Sequence, residues 1–165
     1  MQVRPARPGD VDAIVEVHVG SWRAAYAHVF GADRLATIDV GRRRVIAERM
    51  VAAKDSALFV AEDAGGRVVG FSSAGRSRDA DAEAELHAIY VLPEAWGSGA
   101  GAALLRAAVE ALRAAGHADA VLWVLEDNPR ARRFYEREGW RPDGARKVET
   151  YLGVEVAEVR YRRAL

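Results

Sequence analysis

The chain contains no cysteine. Disulfides, thiolate metal sites and a cysteine nucleophile are therefore excluded. It also carries no net charge, with 24 Lys plus Arg against 24 Asp plus Glu. A general binder of nucleic acid or of an anionic membrane needs a net or clustered basic surface, so neither partner is expected. Lysine is scarce, with Lys54 and Lys147 the only two among many arginines. No apolar run approaches the roughly 20 residues that cross a bilayer. The opening Met1-Gln2-Val3-Arg4-Pro5 has no apolar stretch of the signal-peptide kind. Linkers, repeats and low-complexity segments are missing too. A soluble protein of the cytoplasm, with no metal, is the expectation.

Half of the residues are hydrophobic and 29% are charged, as in ordinary globular proteins. A length of 165 residues fits one domain, spanning 1–165. At that size folding removes roughly two-thirds of the chain's surface from water. Val3 to Ala6 reads as a first strand. Asp10 is placed to cap a helix running to the mid-twenties, with Val11, Ile14, Val15, His18 and Trp22 at helical spacing. A short helix or turn is expected from Ala32. A helix follows over Val40 to Ala53, with Val45, Ile46, Met50 and Val51 turned inward. Leu58 to Ala61 and Val68 to Arg76 read as strands joined by the Asp63-Ala64-Gly65-Gly66 turn. Ala84 to Leu92 is a fourth strand and Gly99 to Ala115 a helix closed by Gly116. Ala120 to Leu125 is a nearly continuous apolar strand of the buried kind. Asn128-Pro129 opens a short helix that ends at Gly139-Trp140. Two strands, about 140 to 150 and 154 to 162, close the chain near Gly153. The order βααβββαβαββ predicts an α/β fold with a single mixed, mostly antiparallel sheet and helices on both faces.

The most informative stretch is Tyr90-Val91-Leu92-Pro93-Glu94-Ala95-Trp96-Gly97-Ser98-Gly99-Ala100-Gly101. An apolar strand stops at a proline, and glycines alternate with small residues before a long Ala/Leu helix. Alternating glycines let backbone N–H groups crowd together without a Cβ in the way. The helix N-terminus adds unpaired donors and a positive dipole end. Together they make a cradle for a phosphate or pyrophosphate. Gly97-x-Gly99-x-x-Ala102 also fits a dinucleotide fingerprint, with Glu126 where a ribose-binding acid could stand. Against it, Leu92 to Trp96 separate the strand from the first glycine, and only 39 residues follow Glu126.

A second constellation runs from Asn128 to Trp140 and begins just past a buried strand. Its helix therefore starts at the same sheet edge as the glycine loop. Asn128 offers an amide that can pair with peptide-like groups of a ligand. Tyr135 stands seven residues on, two helical turns along the same face. A plainer reading makes Phe134 and Tyr135 core aromatics and Asn128 a helix cap.

Val91-x-Pro93-x-x-Trp96-Gly97-x-Gly99-x-Gly101 with Leu104-Leu105, followed by Asn128-x-x-Ala131-x-x-Phe134-Tyr135-x-x-x-Gly139-Trp140, resembles the paired motifs of the GCN5-related N-acetyltransferases. The element order matches as well, so the resemblance spans the chain. It implies acetyl-CoA as cosubstrate, bound in a cleft where the fourth and fifth strands splay apart. It implies that backbone groups of Ile89, Tyr90 and Val91 pair with the pantetheine arm. The amides of Gly97, Ser98, Gly99, Ala100, Gly101 and Ala102 would hold the pyrophosphate. Asn128, with Ala131 and Phe134, would bind the pantetheine, and Tyr135 would protonate the departing thiolate. Trp96 departs from the Arg or Gln usual before the first glycine, which shifts the load to backbone amides and Ser98.

An alkyl ammonium has a pKa near 10.4, so forming free amine at pH 7 costs about 4 to 5 kcal/mol. A positioned base offsets part of that. Period-two alternation along the fourth strand predicts Glu85, His87, Ile89 and Val91 on one face. Glu85 matches a position where members of the resembled family carry an acid facing the acceptor, and His87 could do the same work. The acceptor pocket should come from the first helices, with Trp22 and Tyr26 at i and i+4 beside Phe30, although such a set also suits a core. Arg132 or Arg133 could reach a cofactor phosphate. The expected activity is transfer of an acetyl group to a primary amine of a small molecule or amino acid. Direct attack in a ternary complex is favoured, since no cysteine can carry the acetyl group. The rival is an acyl-CoA-binding regulatory module without catalysis. The reading is compatible with a homodimer.

Overall fold

The computed structural model describes residues 1–165. In chain order the elements are β1 (Gln2–Pro5), α1 (Val11–Ala25), α2 (Ala27–Phe30), α3 (Ala32–Ala36), α4 (Val40–Ala52), β2 (Ala57–Glu62) and β3 (Val68–Arg76). They continue with β4 (Ala84–Val91), α5 (Ala100–Ala114), β5 (Asp119–Leu125), α6 (Pro129–Arg137), β6 (Arg141–Tyr151) and β7 (Val154–Ala164). Two short helices, α2 and α3, occupy the stretch where one short helix or turn was expected. Gly31, at φ 76°, makes the break between them. The expected inward set of α4 needs one correction. Val45 is 44% exposed, and the helix buries Ala47 instead.

Seven strands form one mixed sheet in the order β1-β2-β3-β4-β5-β7-β6. Every neighbouring pair is antiparallel except β4 with β5. Helices cover both faces. One core joins Ile14, Val17 and Trp22 of α1 and Ala47 of α4 to Val60, Phe71 and Leu92. The other joins Leu105, Ala108, Val109 and Leu112 of α5 to Leu86, Leu122, Tyr135 of α6, Trp140 and Tyr161. Each such large side chain, fully buried, stabilises the fold by about 1.5 to 3 kcal/mol. The helix α5 forms because Ala and Leu dominate it and its apolar residues recur on one face. It ends where Gly116 takes φ 88° and the His117 N–H reaches back to the Leu112 carbonyl at 3.2 Å.

The feature that makes a site is the divergence of β4 from β5. The two strands pair only at Ala84↔Ala120 and Glu85↔Val121. Beyond that point β4 runs on to Val91 and β5 to Leu125 without pairing. Opposite this stretch the β3–β4 register slips between Ser73 and Ala74, so that Ser73 pairs Ala88 but Ala74 pairs Leu86. His87 is the extra residue of that bulge. A bulge bends and twists its strand, which carries β4 away from β5.

Candidate active site

The opening between β4 and β5 holds two adjoining cavities, of about 380 Å³ and about 610 Å³. The smaller one is walled by Trp22, Tyr26, Glu85, Tyr90, Tyr151 and Glu158, on the side covered by α1. The larger one lies along Gly97, Gly99, Gly101, Ala102 and Phe134, at the N-terminus of α5. Ile89, Val91, Trp96, Arg130, Ala131 and Tyr135 line both.

The glycine loop turns a row of backbone donors outward. Gly97 and Gly99 take φ 79° and 90°, a left-handed conformation that a side chain would strain. A 15-residue helix starts directly after them. The backbone N–H groups of Gly97, Gly99, Gly101 and Ala102 find no acceptor within the chain. Two of the expected donors drop out. The Ala100 N–H is taken by the Ser98 hydroxyl at 3.3 Å, and that hydroxyl spends its own proton on the Ala95 carbonyl at 2.7 Å. At Gly101 a Cβ would stand only 3.6 Å from the ring of Phe134, which seats α6 against the first turn of α5.

The strand β4 corrects the expected alternation. Glu85 and His87 do lie together, His87 Nε2 standing 3.9 Å from a Glu85 oxygen. Past the bulge the pattern is out of phase. Tyr90 packs edge-on to His18 of α1 at 4.9 Å, while Ile89 and Val91 pack with Ala100 and Leu104 of α5. Ile89 and Val91 therefore face the side opposite to Glu85 and His87. The Leu92 N–H donates to the Val69 carbonyl at 2.8 Å. By alternation the backbone groups of Tyr90 turn toward β3, and those of Ile89 and Val91 toward the cleft. The Val91 carbonyl is already occupied, accepting from the Trp96 indole at 2.8 Å. The backbone donors of Ile89 and Val91 and the Ile89 carbonyl remain for an extended ligand, and Tyr90 contributes only its ring.

Glu85 is 1% exposed. Burial works to raise its pKa, but hydrogen bonds from the Arg78 side chain and backbone, with the Arg78 and His87 charges, outweigh it and hold the carboxylate below its ordinary range. The His87 Nε2 lies 3.0 Å from the Arg76 carbonyl, a group that can only accept, so Nδ1 is the free ring nitrogen of the neutral imidazole. Asn128 caps α6, its Oδ1 accepting from the Ala131 N–H at 3.1 Å, while its side chain also stands against the Tyr26 hydroxyl, working to lower the Tyr26 pKa against burial. Tyr135 is 7% exposed and stands where the two cavities meet. Burial, then the Tyr26 and Tyr90 charges, push its pKa above the ordinary phenol value, and no group of the chain hydrogen-bonds its hydroxyl.

Trp22 and Tyr26 reach the smaller cavity, packed edge to face at 5.0 Å. Phe30 does not. It stacks behind Trp22 at 5.8 Å, 3% exposed, and belongs to the core alone. Arg132 binds Tyr161 and the Glu126 carbonyl and lines neither cavity. Sequence reasoning missed the far wall. Glu158 of β7 is 6% exposed, accepts from the Tyr151 hydroxyl at 3.2 Å and stands 3.4 Å from Lys147. After burial, the Glu158 charge helps raise the pKa of Tyr26, Tyr90 and Tyr151 alike, so it sits among all three. An acid in the alternating series Val154, Val156, Glu158 was the available signal. Arg78 had none, since its polar loop is held by Arg160 binding Asp79 and Asp81.

A sheet parted between two parallel strands, with unpaired amides at one end and a polar, aromatic pocket at the other, is compatible with an acyltransferase cleft. The sequence matches the Acetyltransferase (GNAT) family over residues 18–140, and the chain belongs to that family. It is 36% identical over 129 residues to the uncharacterized N-acetyltransferase YuaI of Bacillus subtilis, covering 77% of this chain and 73% of that one. In fold it is similar to the ribosomal-protein-alanine N-acetyltransferase of Brucella melitensis (TM-score 0.79, 22% identity, all of both chains). It is also similar to the PaiA N-acetyltransferase of Thermoplasma acidophilum, solved in complex with coenzyme A (TM-score 0.77, 21% identity, 99% of this chain and 98% of that one).

Proposed function

We propose that this chain is a single-domain N-acetyltransferase that takes its acetyl group from acetyl-CoA and passes it to a primary amine of a small molecule by direct attack. The observation that carries the reading is the continuous cleft at the β4–β5 parting, with unpaired amides at one end and carboxylates at the other. The unpaired N–H groups of Gly97, Gly99, Gly101 and Ala102 fit a pyrophosphate, and those of Ile89 and Val91 fit an amide-bearing arm. Acetyl-CoA would supply the activated acetyl group as a thioester.

Trp22, Tyr26 and Tyr151 wall the acceptor and exclude water. Two carboxylates can take the ammonium proton. Glu85 is a weakened base, tied to Arg78, and suits passing a proton through water beside His87. Glu158 has a hydroxyl and a lysine as partners, with no arginine on it. The amine nitrogen forms a bond to the carbonyl carbon as the carbon–sulfur bond breaks. Tyr135 donates its proton to the sulfur, and the proton lost by the amine restores the balance.

Thiol release from acetyl-CoA, measured with a panel of primary amines, tests the reading. Acetyl-CoA at 100 times its Kd should stabilise the fold by about 2.7 kcal/mol and raise Tm accordingly, while NAD and ATP should not. A Tm raised by CoA with no thiol release for any amine would favour the non-catalytic module. A Tm raised by NAD alone would favour the dinucleotide reading.

A further inference from the structure

The glycine loop brings no cation of its own. Its side-chain donors are spent locally, the Ser98 hydroxyl on Ala95 and the Trp96 indole on Val91. Four neutral amides and a helix dipole are left to meet a group that carries two negative charges. The chain's zero net charge adds no general positive field.

Two arginines line the cavity at the glycine loop, Arg130 and Arg137, and of these only Arg130 also lines the adjoining cavity and packs on Trp96. Arg130, on the first turn of α6, lays its guanidinium over the Trp96 ring, 3.3 Å from the centroid. The contact spans the cleft, joining the segment after β4 to the segment after β5. Arg130 lines both cavities. No carboxylate pairs with it and none perturbs its pKa, which burial lowers. Many other arginines of this chain are committed to acids, as Arg4, Arg78, Arg160 and Arg162 are. A guanidinium flat on an indole keeps its in-plane N–H groups free along its edge, and stacking fixes their direction. Those donors match the paired oxygens of a phosphoric anhydride.

We infer that Arg130, presented by Trp96, is the cationic anchor for the pyrophosphate of the acyl-CoA, completing the cradle that the glycine-loop amides begin. The inference rests on the acetyl-CoA reading and adds a residue and a mode of action to it. Trp96 then serves as a platform, holding the cation of a neighbouring helix over the anion site rather than touching the phosphate itself.

Calorimetric titration with CoA and with 3′-dephospho-CoA, which keeps the pyrophosphate but lacks the ribose phosphate, separates the cases. The proteins are wild type, R130Q, W96L and the double variant. R130Q should weaken both ligands by the same factor, roughly 10- to 100-fold, as expected for charge-assisted bonds. Its affinity should fall less steeply with added salt than that of wild type. W96L should cost a similar factor alone and little more on top of R130Q, since the platform has no use without its cation. The melting temperature of R130Q should fall only slightly, because Arg130 holds no acid and gives up one stacking contact with Trp96. CoA affinity of R130Q within twofold of wild type overturns the inference. Loss for CoA but not for 3′-dephospho-CoA overturns it also, by moving Arg130 to the ribose phosphate. Fully additive losses from R130Q and W96L overturn the platform role. A wild-type chain that binds no CoA overturns the acetyl-CoA reading itself, an outcome seen before any variant is made.

Discussion

Replacing Tyr135 by Phe isolates one oxygen atom. In the structure the Tyr135 hydroxyl has no partner within the chain, so its removal breaks no hydrogen bond of the free protein. The ring keeps its contacts with Phe134 at 5.2 Å and with Trp140 and Tyr161 at 6.5 Å. Tm should therefore hold or rise slightly, and CoA affinity should be unchanged. The rate should not. An ordinary phenol at pKa 10 is a weaker acid than a thiol at 8.5, so full proton transfer to a thiolate runs uphill by about 2 kcal/mol. Burial of Tyr135 steepens that slope. The gain in rate therefore comes from the hydroxyl's hydrogen bond to sulfur as negative charge develops there, and the proton passes to sulfur as the amine's proton returns to Tyr135. A hydrogen bond to a charged group is worth about 1.5 to 3 kcal/mol, or roughly 10- to 150-fold in rate. A fall in kcat of about 10²-fold is expected, the low end for general acid catalysis. Thiol release at saturating acetyl-CoA, with the amine that wild type acetylates fastest, and Tm on the same preparation are the two measurements. Turnover within twofold of wild type at equal folded fraction would refute the role of Tyr135.

A Cβ at Gly99 meets no neighbouring atom, but φ 90° makes Gly99→Val costly, since the residue is β-branched. The loop should relax away from its cradle shape, and CoA affinity should fall at least tenfold while the sheet stays folded by circular dichroism. Glu85→Gln and Glu158→Gln divide the base between them. The variant that removes the base should lower kcat/KM by 10²-fold or more and abolish its acid limb, while the other should change KM more than kcat. His18 is partly buried, and that burial, then the Arg43 charge, lower its pKa from 6.5 to about 3. The unfolded chain binds a proton below pH 6.5 that the folded chain refuses until about pH 3. Stability should therefore drop as pH falls through that window, by about 4 to 5 kcal/mol at most. Tm measured from pH 7 to 4 should decline less in His18→Phe.

What the sequence determined by itself was local and periodic. The glycines at 97, 99 and 101, the Ala/Leu helix after them and the Asn128-Pro129 start are short-range signals, and each sits where its spacing placed it. The turn at Leu152-Gly153, with φ 50° and 74°, was legible from its glycine. The alternating strands announced a mixed sheet, because hydrophobic period follows directly from side-chain direction. The tertiary structure decided everything that depends on two distant segments at once. No local pattern shows the bulge at His87, because a register slip belongs to the pairing of β3 with β4. That slip put Glu85 and Ile89 on opposite faces. Phe30 was the same kind of residue as Trp22 in the sequence, and only packing behind it made it core. Glu158 entered the cleft because β7 lies beside β5, out of chain order, with Leu125 opposite Glu158. Arg130 met Trp96 for the same reason. Each residue is 34 positions from the other, and the parting of two strands brings the segments that follow them face to face.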